Sequence, residues 1–219
     1  MFTMRFRYSK TELGIYLGHL EVMKVFERAF RRAGLPIRYT EGFNPTVRLS
    51  FAAPLSVGCS SEYEIAEIVL NEEVAPERFL SLQLPAGFRI LEARSVDSKQ
   101  SLMARLATAT YSFRLSELIF PPSSEADMDA ANRLAAFADQ SDFPWEKKTK
   151  SGIRTLNMME YIHSLTSDGE TAVAVLRAGN LGALNPDVLV KAIFGADVRA
   201  TIHRLVLQDE AGIGLFEGD

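Results

Sequence analysis

The stretch GHLEVMKVFERAFRRAGLPIRYTEGFNPTVRLSF, residues 18–51, predicts one helix followed by two short strands. Apolar residues recur along it at helical spacing, namely Leu20, Met23, Phe26, Phe30 and Ala33. Gly34 and Pro36 then end the helix. Residues 37–40 and 47–51 have the composition of strands, and they flank the loop Glu-Gly-Phe-Asn-Pro, residues 41–45, called here the EGFNP loop.

The elements around this stretch recur, in the same order, in the second half of the chain. The predicted strands are 4–8, 37–40, 47–51, 61–70 and 88–93, then 107–115, 143–149, 152–162, 171–177 and 201–208, and the predicted helices are 20–33, 76–84, 125–139 and 186–194. Pro76 and Pro186 open corresponding helices 110 positions apart. Each half therefore reads strand, helix, three strands, helix, strand.

This repeated order predicts an α+β protein that arose by internal duplication. The expected fold is two tandem ferredoxin-like α/β sandwiches, each an antiparallel sheet covered on one face by two helices. The predicted units are residues 1–98 and 104–219.

Composition limits the compartment in which the protein works. The chain has 219 residues, of which 47% are hydrophobic, and its one cysteine, Cys59, excludes an intrachain disulfide. Its start has no basic segment followed by an apolar run, and it has no apolar stretch of the roughly 20 residues that span a bilayer. We therefore expect a cytoplasmic protein without a membrane partner, and the sequence leaves the oligomeric state open.

Charge is unevenly distributed along the chain. Residues 1–58 contain nine Lys/Arg and four Glu, which gives a local charge of +5 and leaves −9 for the remainder of a chain whose net charge is −4. Such asymmetry is typical of a polyanion-binding face on an acidic protein, although a solvated helix face has the same pattern.

The basic residues of the first long helix share one face. Lys24, Arg28 and Arg32 are spaced by four, and Arg31 lies beside them. Arg38 and Arg48 come from the adjoining strands. The planar guanidinium group of arginine can donate two parallel hydrogen bonds to a phosphate. One interpretation of this face is therefore a binding surface for polyphosphate or for the RNA backbone, and the other is a surface helix that is charged only to remain soluble.

The EGFNP loop holds an aromatic residue between two residues with special backbone geometry. Gly42 can adopt positive φ, and Pro45 keeps Asn44 extended. Phe43 can stack on a base while Asn44 hydrogen-bonds to it, as in readers of single strands. The alternative is a rigid connection whose Phe43 fills the core.

His19, at the start of the same helix, is the one candidate catalytic residue. A histidine there can act as a general acid or base, or it can serve only in capping or packing. His163 and His203 have no neighbours at metal-ligand spacing, so we predict no metal and no cofactor.

A second basic element lies in the second half, where WEKKTKSGIR, residues 145–154, is typical of a hairpin turning at Ser151 and Gly152. Its lysines, Lys147, Lys148 and Lys150, are predicted near the tip. They offer another polyanion contact, or they protect an exposed strand edge from pairing.

The sequence GHLEVMKVFERAFRRAGLPIRYTEGFNPTVRLSFAAPLSVGCSSE resembles the signature of the radical SAM-linked protein family, a bacterial domain of unknown function. KKTKSGIRTLNMMEYI, LNPDVLVKAIFG and the following IHR resemble its later motifs. The chain departs from that pattern at four polar positions, which here are Thr46, Asn157, Met159 and Asn185.

The resemblance implies partnership with a radical SAM protein. A single cysteine cannot hold the cluster of such an enzyme, so this chain is not itself the radical enzyme. The leading hypothesis is an accessory protein that binds RNA or presents an RNA-type substrate. The alternatives are a metal-independent endoribonuclease that uses His19 and a protein-docking module without nucleic acid.

Overall fold

A single large sheet forms the centre of the molecule. The computed structural model describes residues 2–97, 100–121, 130–149, 152–180 and 182–218. Within these ranges eight strands form one mostly antiparallel sheet, and two more form a separate hairpin. The protein is therefore a mixed α/β protein with few helices, which confirms the predicted class at that level.

The first half supplies one end of this sheet. Its elements are β1 (Phe2–Lys10), α1 (His19–Arg32), β2 (Leu49–Phe51), β3 (Ser60–Leu70), α2 (Glu77–Leu80) and β4 (Phe88–Val96). The strands lie in the order β4-β1-β3, and β2 also pairs with β3. Alternate residues of β1, including Phe6, pack in one buried core with Phe26 and Phe30 of α1. The period of two in β1 and the helical spacing in α1 thus meet as the sequence predicts.

The second half supplies the other end of the sheet. Its elements are α3 (Leu102–Arg105), β5 (Thr108–Arg114), α4 (Ala130–Ala138), β6 (Pro144–Thr149), β7 (Gly152–Asn157), β8 (Ile162–Ser167), β9 (Thr171–Arg177), α5 (Pro186–Phe194) and β10 (Ile202–Gln208). The strands lie in the order β10-β5-β9-β8, and β6 pairs only with β7. Helices α4 and α5 contribute to a second core with β5 and β9.

Three predicted elements differ from the structure. The single strand predicted at 152–162 is two strands, because the Asn157 side chain accepts a hydrogen bond from the Met159 amide at 3.0 Å and caps a 3-10 turn, Met158–Tyr161. The helix predicted at 76–84 is shortened to α2, which ends at Leu80 with Ser81 as its C-cap. The strand predicted at 37–40 is reduced to isolated bridges at Ile37 and Tyr39. Residues 125–129 of the predicted helix 125–139 lie outside the described ranges.

The two halves share the sheet, whereas the sequence suggested one sheet for each. β3 is 11 residues long and β2 only three, so β2 covers β3 only at Ala66–Ile68. The exposed edge at the start of β3 pairs in parallel with β10, where His203 is opposite Ser60 and Arg204 opposite Ser61. An uncovered strand edge carries unpaired backbone groups, and β10 satisfies them.

An ion pair inside the protein bridges the halves at this junction. Arg204 of β10 and Glu64 of β3 are each 1% exposed. Arg204 Nε donates to Glu64 Oε1 at 2.8 Å, and Nη2 donates to the second carboxylate oxygen. Nη2 also donates to the carbonyl of Ala53 at 3.0 Å. Two charges removed from water are tolerated when they pair with each other in this way and make further hydrogen bonds.

A second buried arginine attaches the end of the described chain to the first half. Arg5 of β1 donates from Nε to Glu67 of β3 at 2.9 Å. Its Nη1 donates to the carbonyl of Leu215 at 3.1 Å and to that of Gly218. Residues 215–218, which follow β10, therefore lie against strands of the opposite half.

We expect Glu64→Gln to destabilise the protein strongly. The substitution keeps the shape of the side chain but leaves the Arg204 charge without a counter-charge, and removal of one partner of a buried pair costs about 3–5 kcal/mol. Urea unfolding followed by circular dichroism measures the change in the free energy of unfolding.

Glu92→Gln is the matched control. Glu92 also accepts from an arginine, Arg7 Nε at 2.9 Å, but the pair is partly exposed, so a loss of about 1 kcal/mol or less is expected. Equal losses in the two variants would contradict the importance assigned to the buried pair.

Candidate functional site

The α1 basic face consists of Lys24, Arg28, Arg31 and Arg32, all of which are exposed. The opposite face of α1 is buried through Val22, Phe26, Ala29 and Phe30, so core packing fixes the direction in which the basic residues point. Within the described ranges, Lys24 and Arg28 have no ion-pair partner. These two cations are available to an external anion.

The other two residues of this face are held by the protein. Arg31 pairs with Glu27 at 2.7 Å, and its Nε donates to the Tyr39 hydroxyl at 3.1 Å. Arg32 Nη2 donates to the carbonyl of Gln83 at 2.6 Å. Both guanidinium groups are exposed, so each keeps donors for a ligand while its position is fixed.

The contact between Arg31 and Tyr39 brings the EGFNP loop beside α1. Tyr39 forms a bridge with Val47 at the base of the loop. The Thr40 amide donates to the carbonyl of Thr46 at 2.8 Å, and the Thr46 amide donates to Thr40 Oγ1 at 2.9 Å. Gly42 has φ +123°, a conformation that other residues rarely adopt. The loop is therefore closed at its base and turned sharply at Gly42.

Phe43, at the tip of this loop, is fully exposed, as is Asn44. The alternative in which Phe43 fills the core is wrong, because the core on this side is already filled by Phe26, Phe30 and Phe51. Arg38 is half-buried and Arg48 exposed on the paired segments that form the base of the loop, where the Arg48 amide donates to the Arg38 carbonyl at 2.9 Å. Cations thus lie on both sides of the loop's base.

His19, the candidate catalytic residue, begins α1 and lies against an aromatic ring. Its imidazole contacts Phe51 edge-on, with centroids 5.2 Å apart. It lines a mostly apolar cavity of about 360 Å³ together with Met23, Leu49 and Met103. The described residues supply no hydrogen-bond partner to the ring. The arrangement suits packing, and the catalytic role remains a prediction.

The lysines predicted at the hairpin tip do not all point outward. Lys147 Nζ lies 5.2 Å from the ring centroids of both Trp145 and Tyr161, and it donates to the carbonyl of Ala183 at 2.9 Å. β6 and β7 form the predicted hairpin, in which Lys148 pairs with Ile153. The Lys148 side chain and the whole of Lys150 lie outside the described residues.

A cavity of about 290 Å³ lies where the two halves meet. One wall comes from the segment after β2, including Ala53 and Ser56, and another from the start of α5 at Asn185. Asn185 Nδ2 donates to Ser56 Oγ at 3.1 Å and so connects these two walls. Arg204 and Tyr111 form its buried end, and Arg177 lies at its wall.

This junction cavity was not predicted from the sequence. The sequence nevertheless contains a signal for the buried ion pair at the end of the cavity. Arg204 lies two positions after the buried Ile202, and Glu64 lies two positions before the buried Ala66, so each charged residue shares a strand face with a buried apolar residue. Charged residues of opposite sign in the core register of two strands indicate a buried pair. Pairing of these strands, which are far apart in sequence, cannot be read from either strand alone.

Burial controls the protonation of the groups around this pair. It raises the pKa of Tyr8 and of Tyr111, an effect that the nearby Arg204 charge partly opposes. It lowers the pKa of Lys10, which is 2% exposed and donates to the Ser56 carbonyl at 3.5 Å, while Glu64 acts in the opposite direction. Burial also lowers the pKa of Arg204, but attraction to Glu64 and Tyr111 outweighs it and the net shift is upward.

Three of the four residues that depart from the resembled pattern have structural roles here. Thr46 Oγ1 hydrogen-bonds to Thr40 Oγ1 at 3.2 Å at the base of the EGFNP loop, Asn157 caps the turn before β8, and Asn185 accepts from the Asp187 amide at 2.9 Å as the N-cap of α5. Each side chain stabilises a local backbone conformation. Their polar groups are thus occupied by the fold.

Two kinds of feature were not found in the described part of the chain, a cluster of metal ligands and a membrane-spanning helix. No group of three or more His, Cys, Asp or Glu residues in those ranges is arranged to hold a metal ion. No helix there is long and apolar enough to cross a membrane.

We expect the stability contributed by Cys59 to fall between about pH 9 and pH 11. Burial raises the pKa of the buried Cys59 thiol to about 11, with Arg204 and Lys10 acting in the opposite direction. The unfolded chain loses this proton near pH 9 while the folded protein keeps it, so stability falls by up to about 1.4 kcal/mol per pH unit as the pH rises. Urea unfolding at pH 8 and pH 10 should show a flatter dependence for Cys59→Ala, and parallel profiles would contradict the assignment.

Comparison with known proteins gives a family for most of the chain. Residues 3–186 match a family whose description is "Uncharacterized protein conserved in bacteria (DUF2344)". No curated protein matches the chain. The matched region includes the α1 basic face, the EGFNP loop and most of the wall of the junction cavity. The chain therefore belongs to this uncharacterised family conserved in bacteria.

Proposed function

We propose that this protein binds single-stranded RNA through the α1 basic face and the EGFNP loop, as an accessory to a radical SAM enzyme. The observation that carries the proposal is the fully exposed Phe43 on a closed loop that Tyr39 connects to Arg31 of the α1 basic face.

The position of Phe43 suits base stacking. A fully exposed aromatic ring buries no apolar area and so does not stabilise the folded protein. The loop does not need the ring to close, because hydrogen bonds between Thr40 and Thr46 close it. Because the hydrogen bonds at the base restrain the loop backbone, less conformational freedom is lost when a base stacks on the ring. Stacking is sequence-tolerant, because every base has a π-face.

The cations suit the phosphate backbone. Lys24 and Arg28 are not neutralised by carboxylates within the described ranges, and Arg31 is oriented by Tyr39 beside the loop. A ligand that stacks on Phe43 therefore passes near fixed guanidinium groups. Phosphate contacts give affinity while the loop contacts bases.

The proposal extends to the scaffold. We infer that each half is a ferredoxin-like unit and that the two arose by duplication, since β4-β1-β3-β2 and β10-β5-β9-β8 have the same order of corresponding strands. The second unit lacks an equivalent basic face on the described part of α4, where Arg133 donates to the carbonyl of Phe194 at 3.0 Å. RNA binding is then a property of the first unit.

The radical SAM partnership rests on the resemblance of the α1 and loop segment. An accessory role is consistent with one cysteine, which is too few to hold an iron–sulfur cluster. In this proposal the protein presents RNA, or an RNA-type substrate, to the partner enzyme.

We expect the double variant Lys24→Ala/Arg28→Ala to bind RNA more weakly and with less dependence on salt. Loss of two phosphate contacts should reduce the slope of log K against log salt by about 1.4, because each contact contributes about 0.7 for single strands. Fluorescence anisotropy with a labelled single-stranded RNA of mixed sequence, at several salt concentrations, measures this slope.

The control for that experiment is Arg89→Ala/Arg114→Ala, which removes two exposed arginines that belong to neither α1 nor the EGFNP loop. Its slope should equal that of the unaltered protein. If the unaltered protein does not bind RNA at low salt, the RNA proposal fails and a docking role without nucleic acid takes its place.

We expect Phe43→Ala to weaken RNA binding without changing the salt slope, since no charge is removed. Loss of one stacked base costs about 1–3 kcal/mol, or roughly a 5- to 150-fold rise in Kd. Phe43→Trp should retain affinity, and Ile119→Ala, which truncates another exposed apolar side chain, should have no effect. Equal RNA affinity of Phe43→Ala and the unaltered protein would exclude stacking by this loop.

A further inference from the structure

We propose that the junction cavity binds a small organic monocarboxylate with a compact apolar body. None of the α1 basic residues lines this cavity, so the proposal does not depend on RNA binding. The inference rests on the unused hydrogen-bond donors, the charge balance and the shape of the cavity.

The buried end of the cavity has donors without acceptors. Arg204 Nη1 makes one long hydrogen bond, at 3.4 Å to the Tyr111 hydroxyl, although it carries two hydrogens. Tyr111 is 7% exposed, and the described residues offer its own hydroxyl hydrogen no acceptor. Buried donors are normally satisfied, so two neighbouring unused donors indicate a missing acceptor.

The charge around the cavity favours an anion. Arg204 is neutralised by Glu64, and Asp187 at the start of α5 pairs with Lys191 at 2.6 Å. Two cations remain without an ion pair among the described residues, Lys10 behind Ser56 and Arg177 at the wall. The potential in the cavity is therefore positive.

The number of donors selects the type of anion. One N–H of Arg204 and the O–H of Tyr111 match the two oxygens of a carboxylate. A phosphate monoester would bring three terminal oxygens and would leave one without a donor at the buried end, which is costly.

Apolar side chains on the other walls leave room for a compact apolar body. They include Ala52, Pro54, Leu106 and Leu184, which offer no hydrogen bonds from their side chains. A volume of about 290 Å³ is at the lower end for ligand cavities, so the ligand is small.

Isothermal titration calorimetry at constant ionic strength tests the proposal with three probes, benzoate, its neutral analogue benzamide and phenyl phosphate. Benzoate should bind at millimolar concentration or below and benzamide at least about tenfold more weakly, because charge-assisted hydrogen bonds are about twice as strong as neutral ones. Phenyl phosphate should bind more weakly than benzoate. Tighter binding of phenyl phosphate would overturn the carboxylate assignment, and equal binding of benzamide would overturn an anion site altogether.

Two variants locate the binding. Tyr111→Phe removes only the hydroxyl and should weaken benzoate binding about tenfold while leaving that of benzamide nearly unchanged. Arg177→Gln, a half-buried residue whose replacement is not expected to prevent folding, should weaken it severalfold through lost long-range attraction. Tyr63→Phe removes a hydroxyl outside the cavity, which donates to Glu217, and should have no effect. Unchanged benzoate affinity in both cavity variants, or no benzoate binding at millimolar concentration, would overturn the proposal.

Discussion

The ion pair between Glu64 and Arg204 is the interaction on which the arrangement of the two halves depends. It lies where β3 and β10 meet, and both side chains are 1% exposed. Its hydrogen bonds extend to the Ala53 carbonyl and the Tyr111 hydroxyl, so it connects the segment after β2 with the second core. If one half slid or rotated against the other, the ion pair would separate and leave two buried charges unpaired. Because unpaired buried charges are strongly destabilising, the ion pair restricts such movements. The junction cavity, whose buried end is formed by the same Arg204, follows from this constraint.

Two features with different chemistry thus lie on one scaffold. The α1 basic face and the EGFNP loop are exposed and suited to a long polyanion, whereas the junction cavity is a small, partly open recess. The cavity beside His19 shares Pro54 and Met103 with the junction cavity, so the start of α1 approaches the junction as well. A ligand in the junction therefore contacts both halves and lies near the first turn of α1. This geometry offers a physical connection between the cavity and the helix that carries the basic face.

Local patterns were good predictors of single elements and of one exposed site. The alternation in β1 and the helical spacing in α1 gave these elements nearly at their observed bounds, because one face of each is buried in the same core. The spacing of the four basic residues of α1 is enough to place them on one face of the helix. The burial of Phe43 could not be decided in this way, because a loop aromatic is compatible with either environment. It was the packing of Phe26, Phe30 and Phe51 that left Phe43 outside.

The sequence by itself determined most of the elements and the basic character of the first long helix. These properties depend on residue types at short spacing, which the chain fixes before it folds. Only the tertiary structure decided that the halves share one sheet, that Lys147 lies between two aromatic rings, and that Arg204 meets Glu64 at the end of a cavity. The two partners of the ion pair are 140 positions apart in the chain. The shared sheet depends on the free edge that remains on β3, because β3 has 11 residues and β2 has only three. Contacts at that separation are selected by competition among strand edges in the folded chain, so the sequence of one strand does not show which edge it will meet.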